Sequence, residues 1–316
     1  MKMRLLGNTG ITVSELAFGG VEIGMPYGPG VRSEMDMLQE KEALSLLRTA
    51  LDAGVTFYDT ARMYGRSEYL MGKAFRNRRQ DVQLCSKCRH LRDASGKLPA
   101  SAALESRIRS SVAESLSALG TDYLDVLLLH LADEEILAHE TICRVFQDLH
   151  KEGLARAIGA STYSPAESER AIRSGVWQVV QLPYNLLDQR QDAVFGLASE
   201  KGVGLVVRSV LLRGLLTERG KDLQAPLAAI ETHIRGYATL AEANGISLPE
   251  YAMRFALARP EVSSVLLGID RQEYLKQALQ CLGKEQLSTS LIAGGIPFPD
   301  PEFVDIPHWD RMGWLT

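Results

Sequence analysis

Cysteine and long apolar runs are scarce in this 316-residue chain. It contains 4 cysteines, too few for the disulfide framework of a secreted protein of this length. No apolar run approaches the roughly 20 residues that a membrane-spanning helix needs, and residues 1–7 lack the apolar core of a signal peptide. We therefore expect a cytoplasmic protein with no membrane partner.

An excess of positive charge is also absent. Lys and Arg number 35 against 39 Asp and Glu, so the net charge is −4 and the isoelectric point is near 5.9. Without a basic field, the chain is not expected to bind nucleic acid. Its 46% hydrophobic and 23% charged content is that of an ordinary globular domain.

Amphipathic helices alternate with short β-branched runs along most of the sequence. The first predicted helix places five apolar residues on one face at helical spacing: Ala43, Leu46, Leu47, Ala50 and Leu51. Gly54 then ends the helix before a predicted strand at residues 55–58. The same order of helix, glycine and strand recurs at Gly120, Gly153, Gly175 and Gly202.

Eight strands are predicted in total, at residues 16–20, 55–58, 82–86, 123–129, 155–160, 177–182, 203–207 and 262–267. Alternation with helices at this count favours either a closed parallel barrel or a doubly wound sheet. The chain has no Gly-rich dinucleotide fingerprint after its first strand, which argues against the doubly wound sheet. We therefore predict an α/β fold, a (β/α)8 TIM barrel.

The two ends of the chain depart from this alternation. A turn at residues 7–10 lies between short runs at 4–6 and 11–13, which predicts a hairpin that plugs the N-terminal end of the barrel. Residues 292–316 show no helical period and are predicted to form an irregular tail, in which Trp309 and Trp314 either anchor the core or line a pocket. No linker is evident, so residues 1–316 are expected to form one domain.

Polar residues stand at the predicted strand ends. Asp59 follows the second strand, Lys87 the third and His130 the fourth, while Tyr64 lies just beyond Asp59. Each residue taken alone is more often an exposed loop group or a histidine satisfied by the backbone. In a barrel, however, the C-terminal strand ends converge on one mouth, so the four are expected to act together.

Such a group is suited to proton transfer in an alcohol–carbonyl couple. A nearby ammonium lowers the pKa of a tyrosine from its usual value near 10, and Lys87 supplies that charge. Asp59 anchors Lys87, and His130 hydrogen-bonds a substrate oxygen. Tyr64 is then the group that exchanges the proton.

These motifs resemble the aldo-keto reductase family over nearly the whole chain. The matching segments are Asp59-x4-Tyr64-Gly65, Ser86-Lys87 and Asp125-x4-His130. The resemblance implies a catalytic tetrad of Tyr64, Asp59, Lys87 and His130 in an oxidoreductase that uses NADP(H) or NAD(H). Its substrate would be a small carbonyl compound or alcohol, contacted by Val21, Tyr64 and His130.

The resemblance also implies a set of cofactor contacts. Those toward the nicotinamide are Ser161, Thr162, Gln181 and Arg208; those toward the pyrophosphate are Ser209, Leu211, Gly214 and Leu215; those toward the adenosine are Gly268, Asp270, Arg271, Tyr274 and Gln277. Gly20, Val21 and Asp59 complete the set. Thr162 replaces the family's usual Asn. Arg208 replaces a frequent aromatic ring, against which a planar guanidinium is a comparable stacking group.

The adenosine segment departs most from the family. Asp270 stands where many relatives have a basic residue, and Tyr274 replaces a frequent Arg. Because a 2′-phosphate needs fixed positive charge, we expect weak discrimination between NADPH and NADH, with Arg271 still available to the phosphate.

Several alternatives stay open at this stage. The same fold also suits a regulatory subunit that senses the cofactor's redox state, and within enzymes a sugar or polyol dehydrogenase competes with a broad carbonyl reductase. Cys85-x2-Cys88 followed by His90 has zinc spacing, but no second ligand pair appears, so no metal is expected. Gly28-Pro29-Gly30 is predicted to be a loop at the mouth rather than a phosphate cradle.

Overall fold

The computed structural model describes residues 1–27 and 33–314, so Gly28-Pro29-Gly30 lies outside the described residues. The strands are β1 (Met3–Leu5), β2 (Thr12–Ser14), β3 (Leu16–Gly19), β4 (Phe57–Asp59), β5 (Gln83–Lys87), β6 (Leu124–Leu129), β7 (Ala155–Ser161), β8 (Val179–Pro183), β9 (Gly204–Arg208) and β10 (Val262–Gly268). Strands β3 to β10 close into a parallel barrel in the order β10-β3-β4-β5-β6-β7-β8-β9. All eight predicted barrel strands are thus confirmed.

Helices cover the outside of the barrel and fill the loops at its ends. They are α1 (Val21–Gly24), α2 (Glu40–Asp52), α3 (Ser67–Phe75), α4 (Ser101–Leu119), α5 (Glu134–Ala138), α6 (Glu140–Lys151), α7 (Pro165–Arg173), α8 (Asp192–Lys201), α9 (Ala228–Ala243), α10 (Leu248–Leu257), α11 (Gln272–Cys281), α12 (Thr289–Gly294) and α13 (Ile306–Met312). Short 3-10 helices lie at Glu34–Asp36, Arg79–Asp81, Leu212–Gly214 and Pro301–Val304. Helix α2 buries the five apolar residues predicted for its inner face, and Gly54 follows it with φ of +91°.

The N-terminal hairpin of β1 and β2 closes one end of the barrel. Leu6, Ile11 and Val13 are buried in one cluster with the inward-facing barrel residues. Asn8 N donates to Gly202 O at 2.7 Å, and a Cβ built on Gly7 would overlap the backbone of residues 202–204. The predicted plug is confirmed. The site must therefore lie at the opposite, C-terminal end of the strands.

The C-terminal tail is more regular than predicted. Helix α13 lies within residues 292–316, which were expected to be irregular, and α12 extends into the start of that segment. Each is too short to show a period of 3.6 residues in the sequence, and Pro307 at the start of α13 fits the first turn of a helix because its fixed φ is already helical. Trp309 of α13 is fully buried in the main core, so it acts as a core anchor.

Two further observations concern membrane-spanning helices and cysteines. None of the helices in residues 1–27 and 33–314 is both long and apolar enough to cross a membrane. All four cysteines are free thiols, including Cys85 and Cys88.

Candidate active site

Three of the four expected catalytic side chains lie at the C-terminal ends of adjacent strands. Asp59 ends β4, Lys87 ends β5 and His130 directly follows β6. Tyr64 lies on the loop between β4 and α3. That loop packs closely on α1, where a Cβ built on Gly24 would overlap the Tyr64 carbonyl, and Arg66 N donates to Gly24 O at 3.0 Å.

The buried carboxylate of Glu68 stabilises the loop that carries Tyr64. Glu68 pairs with Arg62 at 2.5 Å and accepts a hydrogen bond from Ser86 Oγ at 2.6 Å. Thr60 Oγ1 donates to Ser67 Oγ at 2.8 Å. These contacts explain why Ser67, Glu68 and Ser86 accompany the catalytic positions in the sequence: they fix the loop that carries Tyr64.

Asp59 and Lys87 form an almost fully buried ion pair. Lys87 Nζ lies 2.6 Å from Asp59 Oδ2 and also donates to Thr60 O at 3.0 Å. The other carboxylate oxygen of Asp59 accepts a hydrogen bond from Gln181 Nε2 at 2.8 Å. Asp59 is 2% exposed and Lys87 1% exposed, so the pair is rigid and shielded from water.

Lys87 and His130 both lie against the ring of Tyr64. Lys87 Nζ is 4.9 Å from the centroid of the Tyr64 ring. The rings of Tyr64 and His130 meet edge to face with centroids 5.3 Å apart. The structure therefore brings together the four residues that the sequence singled out.

The protonation states follow from burial and from this ion pair. Burial by itself lowers the pKa of Lys87, but the charge and hydrogen bond of Asp59 together with the charges of Tyr64 and Cys85 outweigh it, and the net pKa is raised. The ammonium therefore persists at neutral pH. Burial is the main cause that holds the pKa of His130 well below its usual value, and the charges of Lys87, His90 and Arg208 lower it further. His130 is accordingly a neutral imidazole.

The pKa of Tyr64 differs from the sequence-based expectation. Lys87 lowers it, as expected, but burial has the larger effect and the net pKa is raised above the usual value. The physical reason is that desolvation disfavours the phenolate more than one ammonium favours it. Tyr64 is thus a protonated phenol, which is the form that donates a proton.

The residues expected at the nicotinamide are partly engaged within the protein. Thr162 is fully buried and its hydroxyl lies 2.7 Å from Ser168 Oγ, so the side chain that replaces the usual Asn pairs with helix α7. Arg208 donates to Thr162 O at 2.8 Å, and its guanidinium lies 4.2 Å from the centroid of the Tyr163 ring. Tyr163 was not anticipated from the sequence.

The loop after β9 has an unusual backbone. Ser209, Leu212 and Arg213 have φ between +47° and +60°, a region that L-residues seldom adopt. Arg213 is held by two contacts: a paired hydrogen bond to Asp310 of α13, with both distances 2.6 Å, and a hydrogen bond to Tyr27 Oη at 3.2 Å. The expected pyrophosphate residues Leu211, Gly214 and Leu215 lie on this loop.

The expected adenosine residues lie between β10 and the first turns of α11. Gly268 ends β10 opposite Gly19 of β3, and Asp270 is half-buried. The Arg271 guanidinium lies 5.9 Å from the Tyr274 ring centroid and makes no ion pair within the described chain. Gln277 reaches Glu273 at 3.5 Å.

Sequence reasoning missed Glu22 of α1. A Cβ built on Gly268 would overlap both of its carboxyl oxygens, so Glu22 folds from the end of β3 across the end of β10. As a lone carboxylate in a Gly-rich segment it carried no signal in the sequence. In the described chain, no group of three or more His, Cys, Asp or Glu side chains is arranged to hold a metal ion.

One protein family matches most of this sequence. The sequence pattern of the Aldo/keto reductase family matches residues 15–293. An L-galactose dehydrogenase of Arabidopsis thaliana is 30% identical over 312 residues, covering 92% of this chain and 92% of that protein. A probable voltage-gated potassium channel subunit beta of Oryza sativa subsp. japonica is 28% identical, covering 96% of this chain and 95% of that protein.

A solved structure with a similar fold is the holo form of an aldo-keto reductase from Bacillus halodurans. It is 28% identical in sequence, with a TM-score of 0.77 over 93% of this chain and 95% of that one.

Proposed function

This chain belongs to the aldo/keto reductase family, and we propose that it is an NAD(P)(H)-dependent oxidoreductase that interconverts carbonyls and alcohols, working as one barrel domain over residues 1–316. The observation that carries the proposal is the buried Lys87–Asp59 pair beneath the ring of Tyr64. A phenol held against a permanent cation at the mouth of a barrel is placed to give a proton to a substrate oxygen.

Each member of the tetrad has its own task in carbonyl reduction. Tyr64 donates its phenolic proton to the substrate oxygen as charge develops there. Lys87 stabilises the phenolate left behind, and Asp59 keeps the ammonium charged and in place. His130, as a neutral imidazole, donates one hydrogen bond to the same oxygen and polarises the carbonyl.

The residues at the mouth fit a nicotinamide dinucleotide. His130 Nδ1 and Glu22 Oε2 are buried polar atoms without a hydrogen-bond partner among the described residues, and such atoms favour a polar ligand nearby. Arg208 and Gln181 would hold the nicotinamide end, Ser209 the pyrophosphate, and Arg271 the adenosine end. When bound, the cofactor supplies or accepts the hydride, and the barrel supplies geometry and electrostatics.

Direct turnover measurements test this function. The purified protein is assayed with a panel of aldehydes, ketones and aldoses and with both NADPH and NADH. L-Galactose and related aldoses belong in the panel because a 30%-identical relative is an L-galactose dehydrogenase. We expect turnover of at least one compound that disappears in Tyr64→Phe; no turnover with any of them, despite bound cofactor, would contradict an enzymatic role.

The second candidate function is that of a regulatory subunit that binds the cofactor without rapid turnover. It is favoured by one observation, the similarity to a potassium channel subunit beta. The same assay separates the two candidates, because a sensor binds NADPH tightly yet turns over carbonyls slowly or not at all.

A further inference from the structure

Glu22 occupies the junction where the barrel closes. Strands β3 and β10 are hydrogen-bonded neighbours, and Gly19 pairs with Gly268 at their C-terminal ends. Helix α1 begins two residues later, and its Glu22 carboxyl group fills the space in which any side chain at residue 268 would stand. Glycine at 268 is therefore what lets this carboxyl group lie over the end of β10.

Glu22 is half-buried as a residue, and its carboxyl group is incompletely hydrogen-bonded. Glu22 Oε2 is buried and has no hydrogen-bond partner among the described residues. Leaving a buried acceptor unpaired is unfavourable, so an unpaired oxygen at the mouth indicates a ligand group that completes it. Gly20 and Val21 on one side, and Gly268 and Asp270 on the other, are residues that the family resemblance assigns to the cofactor.

The charges around Glu22 are predominantly negative. Burial raises the pKa of Glu22 to about 8, opposed by a hydrogen bond from its own backbone and reinforced by the charges of Asp270 and Asp59. Asp270 follows β10, Asp59 ends β4 and is neutralised by Lys87, and Tyr27, in the segment after α1, is kept protonated because burial raises its pKa. Among the described residues, no cation acts on Glu22.

We propose that Glu22 is a proton-linked cofactor-binding residue: its carboxyl group must be protonated for the anionic dinucleotide to bind tightly. As a neutral acid, Glu22 donates a hydrogen bond to a phosphate or ribose oxygen of the cofactor. As a carboxylate, it repels the cofactor's negative charge beside Asp270. The inference rests on the proposed function only in that NAD(P)(H) is the ligand.

The sign of the pH dependence follows directly. Below a pH of about 8 Glu22 holds its proton and affinity is at its maximum. As pH rises through that value the free protein loses the proton, so binding must take one up and becomes weaker. If binding requires the proton fully, Kd rises about tenfold between pH 7 and pH 9.

The test is a fluorescence titration of NADPH, and separately of NADH, at pH 6 to 9.5 without substrate. Glu22→Gln keeps a neutral hydrogen-bonding group of the same size, so its Kd at pH 7 should stay within about threefold of the wild type and then remain flat to pH 9. Calorimetry in two buffers of different ionisation enthalpy should detect proton uptake near pH 8 by the wild type and none by Glu22→Gln.

Asp270→Asn separates a proton-linked role from a structural one. Removing this neighbouring charge lowers the pKa of Glu22, so the weakening should begin at lower pH without disappearing. The same rise of Kd with pH in Glu22→Gln as in the wild type would overturn the inference. Absence of cofactor binding by the wild type would instead overturn the proposed function.

Discussion

Two buried aspartates, Asp59 and Asp125, lie in the same barrel with opposite surroundings. Asp59 is at the C-terminal end of β4 and pairs with Lys87 under Tyr64. Asp125 is near the N-terminal end of β6 and pairs with Arg79 at 2.8 Å and Arg156 at 2.7 Å. Both are nearly inaccessible to solvent, so burial of a charge does not distinguish them.

The difference lies in the partners' remaining interactions. Besides its ion pair, Arg79 donates to Val82 O, Tyr123 O and Thr121 Oγ1, and Asp125 also accepts from Leu84 N at 2.9 Å. The Asp125 carboxylate and the Arg79 guanidinium are therefore both hydrogen-bonded within the protein. At the mouth, Lys87 lies against the protonated phenol of Tyr64. His130 Nδ1 has no hydrogen-bond partner among the described residues. The comparison indicates that position in the barrel and unused hydrogen-bonding capacity mark function.

The largest expected effect comes from Lys87→Met, which breaks the pair at the mouth. Without the ammonium, the phenolate of Tyr64 loses its stabilisation, and kcat for carbonyl reduction should fall by about 10²-fold or more. Because burial already holds the pKa of Tyr64 above its usual value and Lys87 only lowers it, removal of Lys87 should leave Tyr64 protonated from pH 6 to 10. Steady-state kinetics over that range should therefore show the lower kcat at every pH.

The double variant Lys87→Met/Asp59→Asn is its control, since it leaves no unpaired carboxylate in the core. It should be as inactive as Lys87→Met while folding at least as well. A kcat of Lys87→Met equal to that of the wild type from pH 6 to 10 would refute the pairing of Lys87 with Tyr64.

The next effect is expected from Asp125→Asn, which breaks the pair at the other end of the barrel. It should lower the free energy of unfolding by about 2–3 kcal/mol; the loss is below that of a fully buried pair because Arg156 is 47% exposed. Urea unfolding measures this loss. The kcat per folded molecule should stay within about twofold of wild type, and a hundredfold loss of kcat would erase the contrast between the two aspartates.

The smallest effect is expected at the adenosine end. The wild type should discriminate between NADPH and NADH by less than about tenfold, or about 1.4 kcal/mol. Asp270→Ala should shift kcat/KM toward NADPH, because a carboxylate repels the 2′-phosphate. Glu285→Ala, an exposed acidic position just after α11, is the matched control and should change nothing. A wild-type preference for NADPH above a thousandfold would rule out this role for Asp270.

The barrel was predictable from the sequence because its strands are short apolar runs, five of them preceded by a helix that ends at a glycine. The boundaries moved by a few residues at most, as where residues 55–58 became Phe57–Asp59. The tail was predicted less well, since α12 and α13 are too short to show a helical period. The tetrad was found because all four residues fall at strand ends or just beyond one, and topology alone brings such positions together.

What the sequence did not provide depends on packing between distant segments. The raised pKa of Tyr64 comes first from burial, which reflects loops that meet only in the folded barrel. Glu22 lies against Gly268 only because β3 and β10 are neighbours, and the pairing of Thr162 with Ser168 requires α7 to return to the end of β7. None of these contacts follows from local spacing.

The central claim, that Tyr64 is the proton donor of a working reductase, is tested most directly by single-turnover and steady-state kinetics of Tyr64→Phe. The account predicts that kcat falls by about 10²–10⁴-fold, the usual contribution of a general acid. The Kd for NADPH should stay within about threefold of wild type, because the hydroxyl is not assigned to the cofactor. A kcat within threefold of wild type would contradict the claim and remove Tyr64 from the mechanism.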